Sequence, residues 1–177
     1  MSGILESRQW RELPHEHRRW IIANAVVGTA ILNLGLNASF AWLGAIRERT
    51  VPLMAIGNTS TLTDTVGTFF FLPLFTTLFC SAAVHAQQRS GRLAPLNGTG
   101  PWLERMRGRP LQRGLLLGAV TTLFLSPVVV PLLVVVDFGG ISRSQFVLYK
   151  AVLGVVLGAL VTPVIALRAM TDHTVAA

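Results

Sequence analysis

Four uninterrupted apolar runs, near Ile21 to Leu43, Val66 to Val84, Leu115 to Val136 and Phe146 to Leu167, constrain this chain more than any other feature. Each has close to the roughly 20 residues that an α-helix needs to cross about 30 Å of hydrocarbon. In that solvent no water satisfies backbone N–H and C=O groups, so such a run has to be helical. Nearly all the charges lie outside the runs, in a chain that is 51% apolar and only 13% charged. The chain therefore reads as an all-α integral membrane protein, a bundle of four transmembrane helices. The expected organisation is a cytoplasmic interfacial segment over 1–20, a transmembrane domain over 21–167 with a basic loop at 86–113, and a cytoplasmic tail over 168–177.

The arginines set the expected orientation, because basic residues bias loops toward the cytoplasm while acidic ones contribute little. Arg8, Arg11, Arg18 and Arg19 precede the first run, Arg89, Arg92, Arg105, Arg107, Arg109 and Arg113 lie between the second and third, and Arg168 follows the fourth. Those eleven face only Arg47, Arg49 and Arg143 in the two remaining connections. Both termini and the middle loop are expected on the cytoplasmic side. The first segment mixes both signs of charge and has no continuous apolar core, so the first run is expected to be retained rather than cleaved as a signal peptide. Trp10, Leu13 and Trp20 suit a stretch lying in the interface, and Trp102 suits head-group depth.

A net charge of +7 would draw a soluble protein to nucleic acid, but here topology accounts for it, and no nucleic-acid partner is expected. The implied partners are the bilayer and anionic lipid head groups at the cytoplasmic face, where each arginine gains about 1 kcal/mol. A cell-membrane location follows from the same reading.

Polar residues inside the runs are the candidate functional groups, because each costs free energy in hydrocarbon unless it is paired. In the first run Thr29, Asn33, Asn37 and Gly44 fall on one face at 100° per residue, with Phe40 between them. Hydrogen bonds to a neighbouring helix or a solute pathway would each explain that face. Ahead of the second run, Thr61 and Asp64 have the spacing of a capping box. Asp64 and Thr68 instead line an outward vestibule, or meet Lys150, in the alternative reading. Pro73 predicts a kink that Thr76 or Thr77 repairs, and Pro127 and Pro131 predict a bent third helix. Asp137 ends that helix at its negative pole, an unfavourable place without a cation.

Lys150 is the only lysine and lies within the fourth run, on one face with Gly154 and Gly158. Glycines four apart let another helix approach closely. Three readings fit the lysine: its stem snorkels to the rim, its ammonium pairs with Asp137 or Asp64, or it takes part in transport. The short segment DFGGISRS predicts the third and fourth helices as antiparallel neighbours.

No HExxH, GxSxG, phosphate-binding loop or CxxC occurs, so the reading leans away from an enzyme and implies no cofactor or metal. Cys80 is the only cysteine, and His15 and His17 are expected to be solvated. The favoured function is a small transporter or channel-like protein for a small polar or charged solute, contacted by Asn33, Asn37, Asp64, Thr68, Asp137 and Lys150. The alternative is a non-catalytic membrane subunit or assembly factor that binds another helix through Gly154 and Gly158. Four helices enclose little aqueous volume, so a homo-oligomer or a partner membrane protein is expected in either case.

Overall fold

The computed structural model describes residues 13–55, 59–96, 108–135 and 140–172. Asp137, Trp10, Trp102 and the extremes of both termini lie outside the described residues. Four helical stretches are long and apolar enough to cross a membrane: His15–Gly44, Thr61–Arg89, Pro110–Val135 and Arg143–Met170. Each contains the corresponding apolar run, apart from the last residue of the third, and extends it by polar turns at one or both ends.

The first stretch consists of α1 (His15–Trp20), a π-helical segment (Ile21–Gly28) and α2 (Thr29–Gly44). The others are α3 (Thr61–Arg89), α4 (Pro110–Val135) and α5 (Arg143–Met170). Two very short strands, β1 (Thr50–Val51) and β2 (Ile141–Ser142), pair antiparallel, with Thr50 opposite Ser142 and Val51 opposite Ile141. They join the α2–α3 connection to the start of α5. Gly140 enters β2 at φ 119°, and a side chain there would press on the Val51 carbonyl oxygen, so the turn requires glycine. Arg143 completes this end by donating to the Ile46 carbonyl at 3.0 Å while its guanidinium lies 4.3 Å from the Trp42 ring centroid.

The long helices form an open row in the order α2, α5, α3, α4. Central α5 packs on α2 and α3, and α4 packs on the far side of α3. The short connection before α5 does not make α4 its principal neighbour. The reason is a second glycine pair, Gly114 and Gly118, that lets α4 lie against the backbone of α3 at Leu74 and Phe70. The outward faces are apolar, as at Ile31, Leu123, Val128 and Leu160. A soluble protein would not leave such faces uncovered.

Opposite the strand end lies an arginine end, where the largest apolar cluster among the described residues joins Ile21, Cys80, Val84, Leu93, Ile165 and Met170. Asp172 sits above it and ties three helices together. It accepts from Arg168 of α5 at 2.8 Å, is paired with buried Arg113 of α4, and has the His85 ring of α3 3.6 Å away. The chain after α3 closes over the cluster through Leu96 N–H donating to the Met170 carbonyl at 3.0 Å. His17 is buried, not solvated, with Nε2 2.8 Å from the Ala94 carbonyl, because α1 folds under this covering segment. His15 is exposed, as expected.

Candidate functional site

Because α2 and α3 both pack elsewhere, a gap remains between them, floored by α5. It is a groove of about 590 Å3, lined from Ser60 and Asp64 near the strand end to Phe79 and Cys80. Asn33, Asn37, Asp64, Thr68 and Lys150 all line it. Five of the six candidate contact residues are thus brought together; Asp137 lies outside the described residues.

Local structure explains how α3 delivers Asp64. The helix is capped by Ser60, whose Oγ accepts from the Thr63 N–H at 3.3 Å, and not by a Thr61 and Asp64 box. Thr61 and Leu62 donate their N–H groups to the carbonyls of Pro52 and Leu53, at 3.0 and 3.1 Å. The preceding loop thus satisfies donors that a capping carboxylate would otherwise serve, and Asp64 is released to turn toward α5. That helix begins with its own capping box, Ser142 and Gln145, a spacing legible in SRSQ.

Lys150 is 3% exposed, so it does not snorkel to the rim. Its ammonium forms an ion pair with Asp64 Oδ2, donates to Thr68 Oγ1 and donates to the Asp64 backbone carbonyl at 3.1 Å. An ammonium has three N–H donors, so this set is complete. The carboxylate is asymmetric. Its Oδ2 is buried against the lysine, yet the Asp64 side chain as a whole is 39% exposed, so its open surface lies away from Oδ2. Beside the pair, the Thr65 hydroxyl donates to the Thr61 carbonyl at 2.6 Å, leaving the Tyr149 hydroxyl to donate to Thr65 Oγ1 at 2.8 Å. Tyr149→Phe removes one of the hydrogen bonds holding α5 to α3 and is expected to lower stability by about 0.5–1.5 kcal/mol. Thermal unfolding in detergent micelles measures this.

Among the described residues the asparagines do not make the expected hydrogen bonds between helices. Asn37 donates back one turn to the Asn33 carbonyl at 2.9 Å, and Asn33 Nδ2 is buried without a hydrogen-bond partner. Both amides rest on the glycine face of α5, where an added Cβ at Gly154 would lie 2.5 Å from Asn37 Nδ2 and one at Gly158 would collide with Asn33. Glycine has no side-chain acceptor to offer, and its backbone groups serve its own helix, so close approach replaces hydrogen bonding. The Gly154/Gly158 face is therefore filled by α2 of the same chain.

Sequence reasoning missed the aromatic wall. Phe71, Phe75 and Phe79 are half-exposed along one side of the groove, with successive ring centroids 6.1 and 6.4 Å apart. Their four-residue spacing was the available signal. Thr77, which donates to the Pro73 carbonyl at 2.7 Å, is turned away from the groove, while Thr76 lines it.

Among the described residues no group of three His, Cys, Asp or Glu side chains converges as metal ligands would. No protein-family model, curated protein or solved structure matches this chain.

Proposed function

We propose that the chain is a four-span membrane protein, with both termini and the middle loop cytoplasmic, that binds a small molecule in the groove between α2 and α3 and carries it across the membrane. The arginine distribution supports the orientation and is the ordinary pattern for a cell membrane. The strand end then faces outward, and the arginine end with its apolar cluster faces the cytoplasm.

The observation that carries this reading is the groove itself, with the Lys150–Asp64 pair set in its floor. Its volume of about 590 Å3 falls in the range of roughly 300–1,000 Å3 typical of small-molecule sites. A charged pair within a membrane span, on the wall of a cavity, is the usual mark of a solute pathway. The groove ends at Cys80, where the apolar cluster around Ile21, Val84 and Ile165 begins, so carriage requires that cluster to open. The uncovered apolar faces of α2 and α4 leave room for a second copy or another membrane protein, and the arginine loop suits anionic head groups.

Uptake by proteoliposomes tests the proposal. A Cβ at Gly67, which lines the groove, would meet nothing within 4 Å, so the side chain of Gly67→Leu starts in open space and takes up groove volume. Uptake of one or more solutes above protein-free vesicles is expected, with a loss of about tenfold or more in Gly67→Leu, since a blocked site cannot bind its solute. Equal uptake by protein-containing and empty vesicles across ions, small polar solutes and amphiphiles would reject transport.

A further inference from the structure

The groove offers a ligand a carboxylate and no free ammonium. All three Lys150 donors are spent on Asp64 and Thr68. Asn37 Nδ2 is directed to the Asn33 carbonyl, and Asn33 Nδ2 is pressed toward Gly158. An anion entering here would find no ammonium free to receive it, and would meet the exposed side of Asp64. With Oδ2 held by Lys150, a cation would be drawn to the other carboxylate oxygen, nearer to the negative charge than to the positive one.

The wall beside this acceptor is apolar and aromatic. Phe71, Phe75 and Phe79 present a ladder of rings, and Leu32, Leu36 and Phe40 stand opposite on α2. Ring faces attract cations through their quadrupole, and they shelter an apolar body of comparable size. A strongly hydrated inorganic cation would lose its water shell against such a wall, whereas an organic cation with its charge spread under apolar groups would not.

We infer that the groove selects a lipophilic cation, a positively charged centre carried on an aromatic or alkyl body, with the charge beside Asp64 and the body along the phenylalanine ladder. This rests on the groove being the ligand site, as proposed above.

Tetraphenylphosphonium and tetraphenylborate share a shape and differ in the sign of their charge, which makes them the probes. Equilibrium binding of each to the full-length protein in lipid nanodiscs is measured after subtracting binding to protein-free nanodiscs. Tetraphenylphosphonium is expected to bind saturably and about tenfold or more tighter than tetraphenylborate. Asp64→Asn alone strands the lysine and risks misfolding, so the double variant Asp64→Asn/Lys150→Met is used. It removes both charges with little change of shape, and the preference for the cation is expected to fall within about threefold. Gly67→Leu is expected to abolish saturable binding of both ions. Saturable binding that is lost in Gly67→Leu but shows no cation preference, or favours the borate, would overturn the charge selection and leave the groove as a site. Binding indifferent to Gly67→Leu, or no saturable binding of either ion, would overturn the groove reading and the selection with it.

Discussion

Asp64→Asn is expected to lower the unfolding free energy by roughly 3–5 kcal/mol, the cost of removing one partner from a buried ion pair. The ammonium of Lys150, 3% exposed, would lose its carboxylate while still enclosed by α3 and α5. Lys150→Met is expected to cost less, because the carboxylate it strands has an edge open to the groove, where water or a ligand can solvate it. The double variant should recover most of the loss, since two neutral side chains of similar volume leave no charge to bury. Denaturation in mixed micelles by increasing SDS, with helix content as readout, gives the three values. A snorkelling lysine would predict a different pattern, with each single change worth no more than about 1 kcal/mol, as for an exposed pair. Equal, small losses would therefore reject the buried geometry.

Gly118→Ala should destabilise by about 1–3 kcal/mol, an overpacking cost incurred by a single methyl group. Its Cβ would lie 2.5 Å from the carbonyl oxygen of Phe70, and a backbone oxygen cannot rotate away. Relief requires α4 to move off α3 as a body, which also disturbs Leu125 and Val129 on the cluster of Phe69, Leu72 and Leu157. Gly158→Ala meets the Asn33 side chain instead, and an amide can turn, so a smaller loss is expected there. Gly67→Ala is the control. Its Cβ enters open space, and alanine exceeds glycine in helix preference by about 1 kcal/mol, so stability should rise. The order of the three apparent melting temperatures, Gly67→Ala highest and Gly118→Ala lowest, checks the interface; Gly118→Ala at or above the parent protein would contradict it.

The helices were legible because hydrophobicity over about 20 residues is a property of the chain itself. Lys150, Asp64 and Thr68 were legible as candidates for the same reason, since polar groups in apolar runs stand out singly. Which of them would meet was not. Asp64 reads locally as a capping residue, and only the loop carbonyls of Pro52 and Leu53, which occupy the first free N–H groups of α3, release it for Lys150. Asp172 shows the same limit from the other direction. In the sequence it is one acidic residue in a terminal tail, and its three basic neighbours come from α3, α4 and α5.

Helix order was the least legible feature. Gly114 and Gly118 have the same spacing as Gly154 and Gly158, yet one pair seats α4 on α3 and the other seats α2 on α5. A glycine pair in the sequence says that some backbone can approach; it does not say whose. By itself the sequence determined the four apolar helices and the residues that hydrocarbon would penalise, because both depend on local composition against a solvent of fixed thickness. The row α2, α5, α3, α4, the groove it leaves between α2 and α3, and the burial of Lys150 were decided only by tertiary structure. They depend on which surfaces fit at close range, and that fit is shared between segments far apart in the chain.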